Sequence, residues 1–70
     1  MVNRNKHDAE PSEQRLQTVS AVAEFLCLSR SKVYAMMDAG ELPYVKLGKS
    51  RRVRWSDVHR LIDRSVIGSL

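Results

Sequence analysis

The sequence predicts a small, mostly α-helical domain carrying one β-hairpin, and three features of its 70 residues predict it. Hydroxyl residues (Thr18 or Ser20, Ser29, Ser56) stand ahead of short stretches whose apolar side chains recur at helical spacing. Gly40-Glu41-Leu42-Pro43 is a helix stop, and Lys46 to Arg54 then reads strand-turn-strand around Gly48. Size allows a single domain, because a chain this short buries only ~60% of the surface it exposes when unfolded. Its stability is expected at about 3–5 kcal/mol. Cys27 is the one cysteine, so no intrachain disulfide adds to that, and a reducing, cytoplasmic location is expected. No apolar run approaches the ~20 residues of a membrane span. Met1 to Glu10 lacks the apolar core of a secretory signal.

Residues 1–14 are polar, contain Pro11 and show no periodicity, so they read as a loose tail ahead of a domain over 15–67, with 68–70 a short C-terminal tail. In the first helix Val19, Val22, Ala23 and Leu26 share a face that Phe25 widens. The second helix starts at Ser29, with Leu28 and Val33 placed to form a hydrophobic staple, and buries Val33, Met36 and Met37. Only two residues separate Leu26 from Ser29, which is helix-turn-helix spacing. Gly40 suits the left-handed residue after the last turn.

In the hairpin, alternation places Val45, Leu47, Val53 and Trp55 on one face. That pairs Leu47 with Val53 and Val45 with Trp55, sets Lys46 opposite Arg54, and leaves Lys49-Ser50-Arg51 as a three-residue loop. Like charges facing each other are unfavourable, so the outer face is expected to be neutralised by an anion. Trp55 is expected in the core rather than as a base-stacking group. Ser56 caps a last helix with Val58, Leu61 and Ile62 on its apolar face, extended by Val66.

The net charge of +4 is unevenly placed. From Ser29 to Ser56, seven Lys/Arg (30, 32, 46, 49, 51, 52, 54) face only Asp38 and Glu41, whereas outside that window five bases face six acids. A positive region on an otherwise balanced chain is the footprint of a polyanion. A helix beside a basic hairpin is a way to hold DNA in two adjacent grooves.

Nothing supports catalysis or a cofactor. His7 and His59 have no partner at nucleophile or metal spacing, Cys27 alone cannot build a zinc site, and Glu24, Asp57 and Asp63 read as solvated helix-surface carboxylates.

The run Thr18-Val19, Leu26 to Tyr34, Gly40 to Pro43 and Gly48 to Val58 resembles the excisionase-type DNA-binding domains. These are small winged helix-turn-helix modules related to the mercury-resistance (MerR-like) regulators, and the resemblance spans Leu16 to Ile67. It implies that the Ser29 helix enters the major groove and that the Gly48 hairpin is a wing beside it. It also implies a protein that bends DNA at attachment sites and steers a phage or mobile-element integrase toward excision, or one that regulates transcription. Two residues depart from the pattern. Cys27 stands where the family usually has Gly, implying strain of order 1 kcal/mol or a different turn. Ala35 and Asp38 stand where it favours basic residues, which shifts binding toward the helix start and the wing.

On this reading Arg30, Ser31, Lys32 and Tyr34 are the DNA-contacting residues of the recognition helix, Arg30 suiting a guanine edge and Tyr34 either phosphate or the edge of the core. Lys49, Ser50, Arg51 and Arg52 form the wing tip, where an arginine reads minor-groove width and potential. Lys46 and Arg54 fit phosphate clamps. The expected partners are double-stranded DNA, an integrase or recombinase, and further copies of the chain when bound on DNA, the free protein being a monomer. The chain stops at Leu70, short of a long dimerisation helix, so no small-molecule effector is expected. Rival readings are a transcriptional regulator of the same fold and, more distantly, a protein adaptor or an RNA binder; no exposed aromatic series offers single strands a stacking platform.

Overall fold

The computed structural model describes residues 15–68, in the order β1 (Leu16–Thr18), α1 (Val19–Leu26), α2 (Arg30–Asp38), β2 (Val45–Leu47), β3 (Ser50–Arg54) and α3 (Trp55–Arg64). The expected tail at 1–14 and positions 69–70 lie outside the described residues. Three helices and an antiparallel sheet ordered β1-β3-β2 make a winged helix-turn-helix, with β2 and β3 as the wing. β1 is too short to show a period, and the sequence reading did not include it.

Local chemistry sets both ends of the first two helices. Thr18 Oγ1 accepts from the Ala21 N–H at 3.0 Å and Ser29 Oγ from the Lys32 N–H at 3.1 Å, each satisfying an orphan amide of a first turn. At the end of α1 the Leu28 N–H reaches Ala23 O at 2.9 Å and the Cys27 N–H reaches Glu24 O at 3.2 Å. That is a Schellman motif, and it requires its hinge residue to be left-handed. Cys27 meets the requirement at φ 59°, ψ 41°, so the left-handed turn forms on a residue with a Cβ. The same motif ends α2, with Gly40 at φ 79° and the Glu41 N–H on Met36 O at 2.9 Å.

Val19, Val22 and Ala23 of α1, Val33, Met36 and Met37 of α2, Val53 of β3 and Val58 of α3 form the core. Leu42, in the loop after α2, is wholly buried among them and was not anticipated. Leu26, Leu61 and Ile62 pack against this cluster, and Trp55 joins them partly buried, as expected of a core residue. Phe25 departs from its expected place: it is 48% exposed and meets the Trp55 ring edge-on, centroids 4.4 Å apart. Leu28 and Val66 are likewise exposed.

The hairpin register differs from the expected one. Val45 pairs with Arg52, Lys46 with Arg51 and Leu47 with Ser50, closing a two-residue Gly48-Lys49 turn rather than a three-residue loop. Gly48 at φ 65°, ahead of a residue whose φ is not positive, meets the glycine requirement of a type II′ turn. Because directly paired residues share a face, Val45 and Leu47 lie opposite Val53, not beside it, and Leu47 is 54% exposed. The like-charge pair is Lys46 with Arg51, and Arg54 pairs with Leu16 of β1 instead of Lys46. The core takes only Val53 from the hairpin because this register turns Val45 and Leu47 to the other face.

Trp55 leaves the strand altogether and opens α3, its N–H donating to Arg15 O at 3.0 Å. Arg54 is therefore the N-cap position, without a side-chain bond, and Ser56 falls inside the first turn rather than capping it.

Replacing Cys27 by glycine should relieve the left-handed strain and stabilise the domain by about 0.5–1 kcal/mol, read as a raised urea midpoint at constant m. A lowered midpoint would mean that the thiol side chain contributes more than the backbone strain costs.

Candidate nucleic-acid interface

The start of α1, the first turns of α2 and the wing tip converge on one open recess of about 280 Å³ with an almost wholly polar lining. Thr18, Val19 and Ser20 form one wall, Arg30 and Tyr34 the second, and Lys49 to Arg52 the third. The tight left-handed turn at Cys27 folds α2 back across α1 and so brings Arg30 within reach of α1; its Nη1 donates to Ser20 Oγ at 3.4 Å. The II′ turn places Lys49 at the tip, and β3 carries Arg51 and Arg52 to opposite faces of the wing by strand alternation. Four cationic side chains thus border the recess, and none of its lining residues is acidic.

Six of the expected site residues meet here: Arg30, Tyr34, Lys49, Ser50, Arg51 and Arg52. Ser31 and Lys32 are exposed on the same first turn of α2 but do not line the recess, and Lys46 is exposed on β2 away from it. The sequence reading left out Thr18, Val19 and Ser20 as site residues. Thr18 and Ser20 did register as possible helix caps, and a helix start that abuts the second helix was the available signal.

Three arginines have carboxylate partners among the described residues. Arg51 Nη1 lies 3.2 Å from Asp38 Oδ1, and its guanidinium carbon sits 5.2 Å from the Tyr34 ring centroid and 4.6 Å from that of Tyr44. Arg54 Nε donates to Asp57 Oδ2 at 2.8 Å, and Arg60 Nη1 donates to Asp57 Oδ1 at 3.3 Å. Asp57 is only 2% exposed, which corrects its reading as a solvated surface carboxylate. It anchors the first turn of α3 to the end of β3, and a carboxylate at that position also favours the helix dipole. Among the described residues no helix is long and apolar enough to cross a membrane, and no group of three or more His, Cys, Asp or Glu could hold a metal ion.

Comparison with known proteins agrees with this architecture. Residues 18–65 match the helix-turn-helix domain family, which covers more than half of the chain. Two relatives from Mycobacterium tuberculosis, one from strain CDC 1551 / Oshkosh and one from strain H37Rv, are each 34% identical over 58 residues. That alignment covers 83% of this chain and 74% of either relative, and both carry the name "Putative DNA-binding protein". No solved structure matches the chain significantly.

Asp57→Asn should lower stability by about 1–2 kcal/mol, because a buried acceptor of two charge-assisted bonds is lost while both guanidiniums keep access to water. Urea unfolding would show it as a lower midpoint, and an unchanged midpoint would mean that Asp57 does not anchor α3.

Proposed function

Because the chain belongs to the helix-turn-helix domain family, we propose that it binds double-stranded DNA, with α2 in the major groove and the wing over the adjacent minor groove. The recess shared by the α2 start and the wing tip, bordered by four cations and lined by no acid, carries this reading. The names of the mycobacterial relatives point the same way. A major groove about 12 Å wide admits a helix, and an arginine or lysine at the wing meets the enhanced negative potential of a narrow minor groove.

In this arrangement Arg30 reads a base edge, with Ser31 and Lys32 on base or phosphate and Tyr34 aiming its hydroxyl at the backbone. Lys49, Ser50 and Arg52 hold the strand at the wing tip and Lys46 acts as a flanking phosphate clamp, joined by Arg54 through the part of its guanidinium that its bond to Asp57 leaves exposed. The Arg51 guanidinium is already engaged within the chain by Asp38.

The biological role that fits such a module is architectural. One helix and one wing bury too little surface for high specificity, so copies act together on repeated sites and accumulate a bend that directs an integrase toward excision. The resemblance of Leu26 to Tyr34 and Gly48 to Val58 to excisionase-type domains fits that role, and a transcriptional regulator of the same fold is the second reading. Footprinting over a candidate attachment site, with and without an added integrase, separates the two.

Affinity measured against salt tests DNA binding itself. With about five phosphates neutralised, log affinity should fall with log salt at a slope near −4 to −5. Arg30→Ala should cost about 1–3 kcal/mol on the preferred site and relax the base preference there, whereas Lys46→Ala should weaken all sequences alike and remove about one unit of slope. A slope near zero would remove DNA from the account, and uniform loss in both variants would remove base reading from α2.

A further inference from the structure

Arg51 is the side chain that ties the wing to α2. It projects from β3 on the Val53 face of the sheet, the face turned to the core, while Arg52 projects the other way. Tyr34 and Asp38 stand one helical turn apart on α2 and present a ring and a carboxylate to the same guanidinium; Tyr44, leading into β2, supplies a second ring from the wing's own partner strand. One planar cation therefore touches α2 twice and the far side of the hairpin once. Its side chain is 25% exposed, against 66% for Asp38.

These contacts answer the charge problem of the hairpin in an unexpected way. Lys46 and Arg51 face each other across the ladder, and like charges there are unfavourable. A compensating negative charge is already present within the chain in Asp38, four residues beyond Tyr34, the last DNA-facing position of α2.

We infer that Arg51 is a positioning residue that fixes the angle between α2 and the wing, its charge being compensated within the chain. The inference rests on the DNA-binding reading above. A wing held at a set angle meets the duplex already ordered, whereas a loose wing must be ordered on binding and loses affinity accordingly. Arginine is required for this, because a flat guanidinium can lie between two rings and still hydrogen-bond a carboxylate, and a lysine ammonium cannot do both with the same geometry.

The test compares wild type with Arg51→Lys, Arg51→Ala and Tyr44→Leu, using a random-sequence duplex over a range of salt. Positioning predicts that Arg51→Lys and Tyr44→Leu each lose about tenfold in affinity at any one salt concentration, with the wild-type slope retained. Near-wild-type binding by Arg51→Lys, a slope shallower by about one unit in Arg51→Ala and no effect of Tyr44→Leu would overturn it in favour of a direct phosphate contact. Backbone ¹⁵N relaxation on the free protein supplies an arm that needs no DNA. Lys46 to Ser50 should be as ordered as α1 and α3 in wild type and lose order in both Arg51→Lys and Tyr44→Leu, with the helices unchanged. Wing order that persists in both variants overturns the proposal. A flat salt response of wild type would instead defeat the DNA-binding reading, and relaxation would still decide whether Arg51 braces the wing.

Discussion

Five fully buried side chains hold this domain together, one from each structural unit that must be kept in place. Val22 comes from α1, Val33 from α2, Leu42 from the connecting loop, Val53 from the wing and Val58 from α3. None is large, and no helix buries enough by itself to be stable alone at eight to ten residues. The elements therefore stand or fall together, because Val33, Leu42 and Val53 join α2, the loop after it and the wing in one core. Losing a methyl group from this set costs more than its transfer free energy, because so small a core cannot close around the gap.

The polar contacts act around that core rather than in it. Arg51 ties the wing to α2, Asp57 ties α3 to the end of β3, and Arg64 donates to the Glu41 carbonyl, joining the end of α3 to the loop after α2. The cations left over, Arg30, Lys49 and Arg52, border the recess without an acidic partner among its lining residues. Charge is thus divided between arginines that hold the fold's geometry and others that face outward, a division invisible in a count of basic residues.

The boundaries of the first two helices were legible because their causes are local. A hydroxyl three residues ahead of an amide makes a cap at Thr18 and Ser29, and a left-handed glycine at Gly40 ends α2 wherever it occurs. The turn at Cys27 was legible from its spacing, although its residue disfavours the conformation it adopts. The register was not legible, because alternation in β2 and β3 assumed a two-stranded hairpin with one buried face. The structure adds β1 on the far side of β3, sends Trp55 into a helix and lets Leu42 do the work assigned to Val45 and Leu47. Asp57 was missed for a related reason: nothing in Trp55-Ser56-Asp57-Val58 marks one carboxylate as the shared acceptor of Arg54 and Arg60. The recess was legible at Arg30, Tyr34 and the wing tip, where charge and turn chemistry coincide. Ser20 was not, because its place depends on how α2 crosses α1.

Amide chemical-shift mapping during titration with a short random-sequence duplex at low salt tests the central claim most directly, since non-specific binding needs no knowledge of the target. Shifts should concentrate at Ser20, Arg30 to Tyr34 and Lys49 to Arg52, with little change along the apolar groove bordered by Leu28, Leu61 and Val66. Shifts confined to that groove, or none at all, would contradict it.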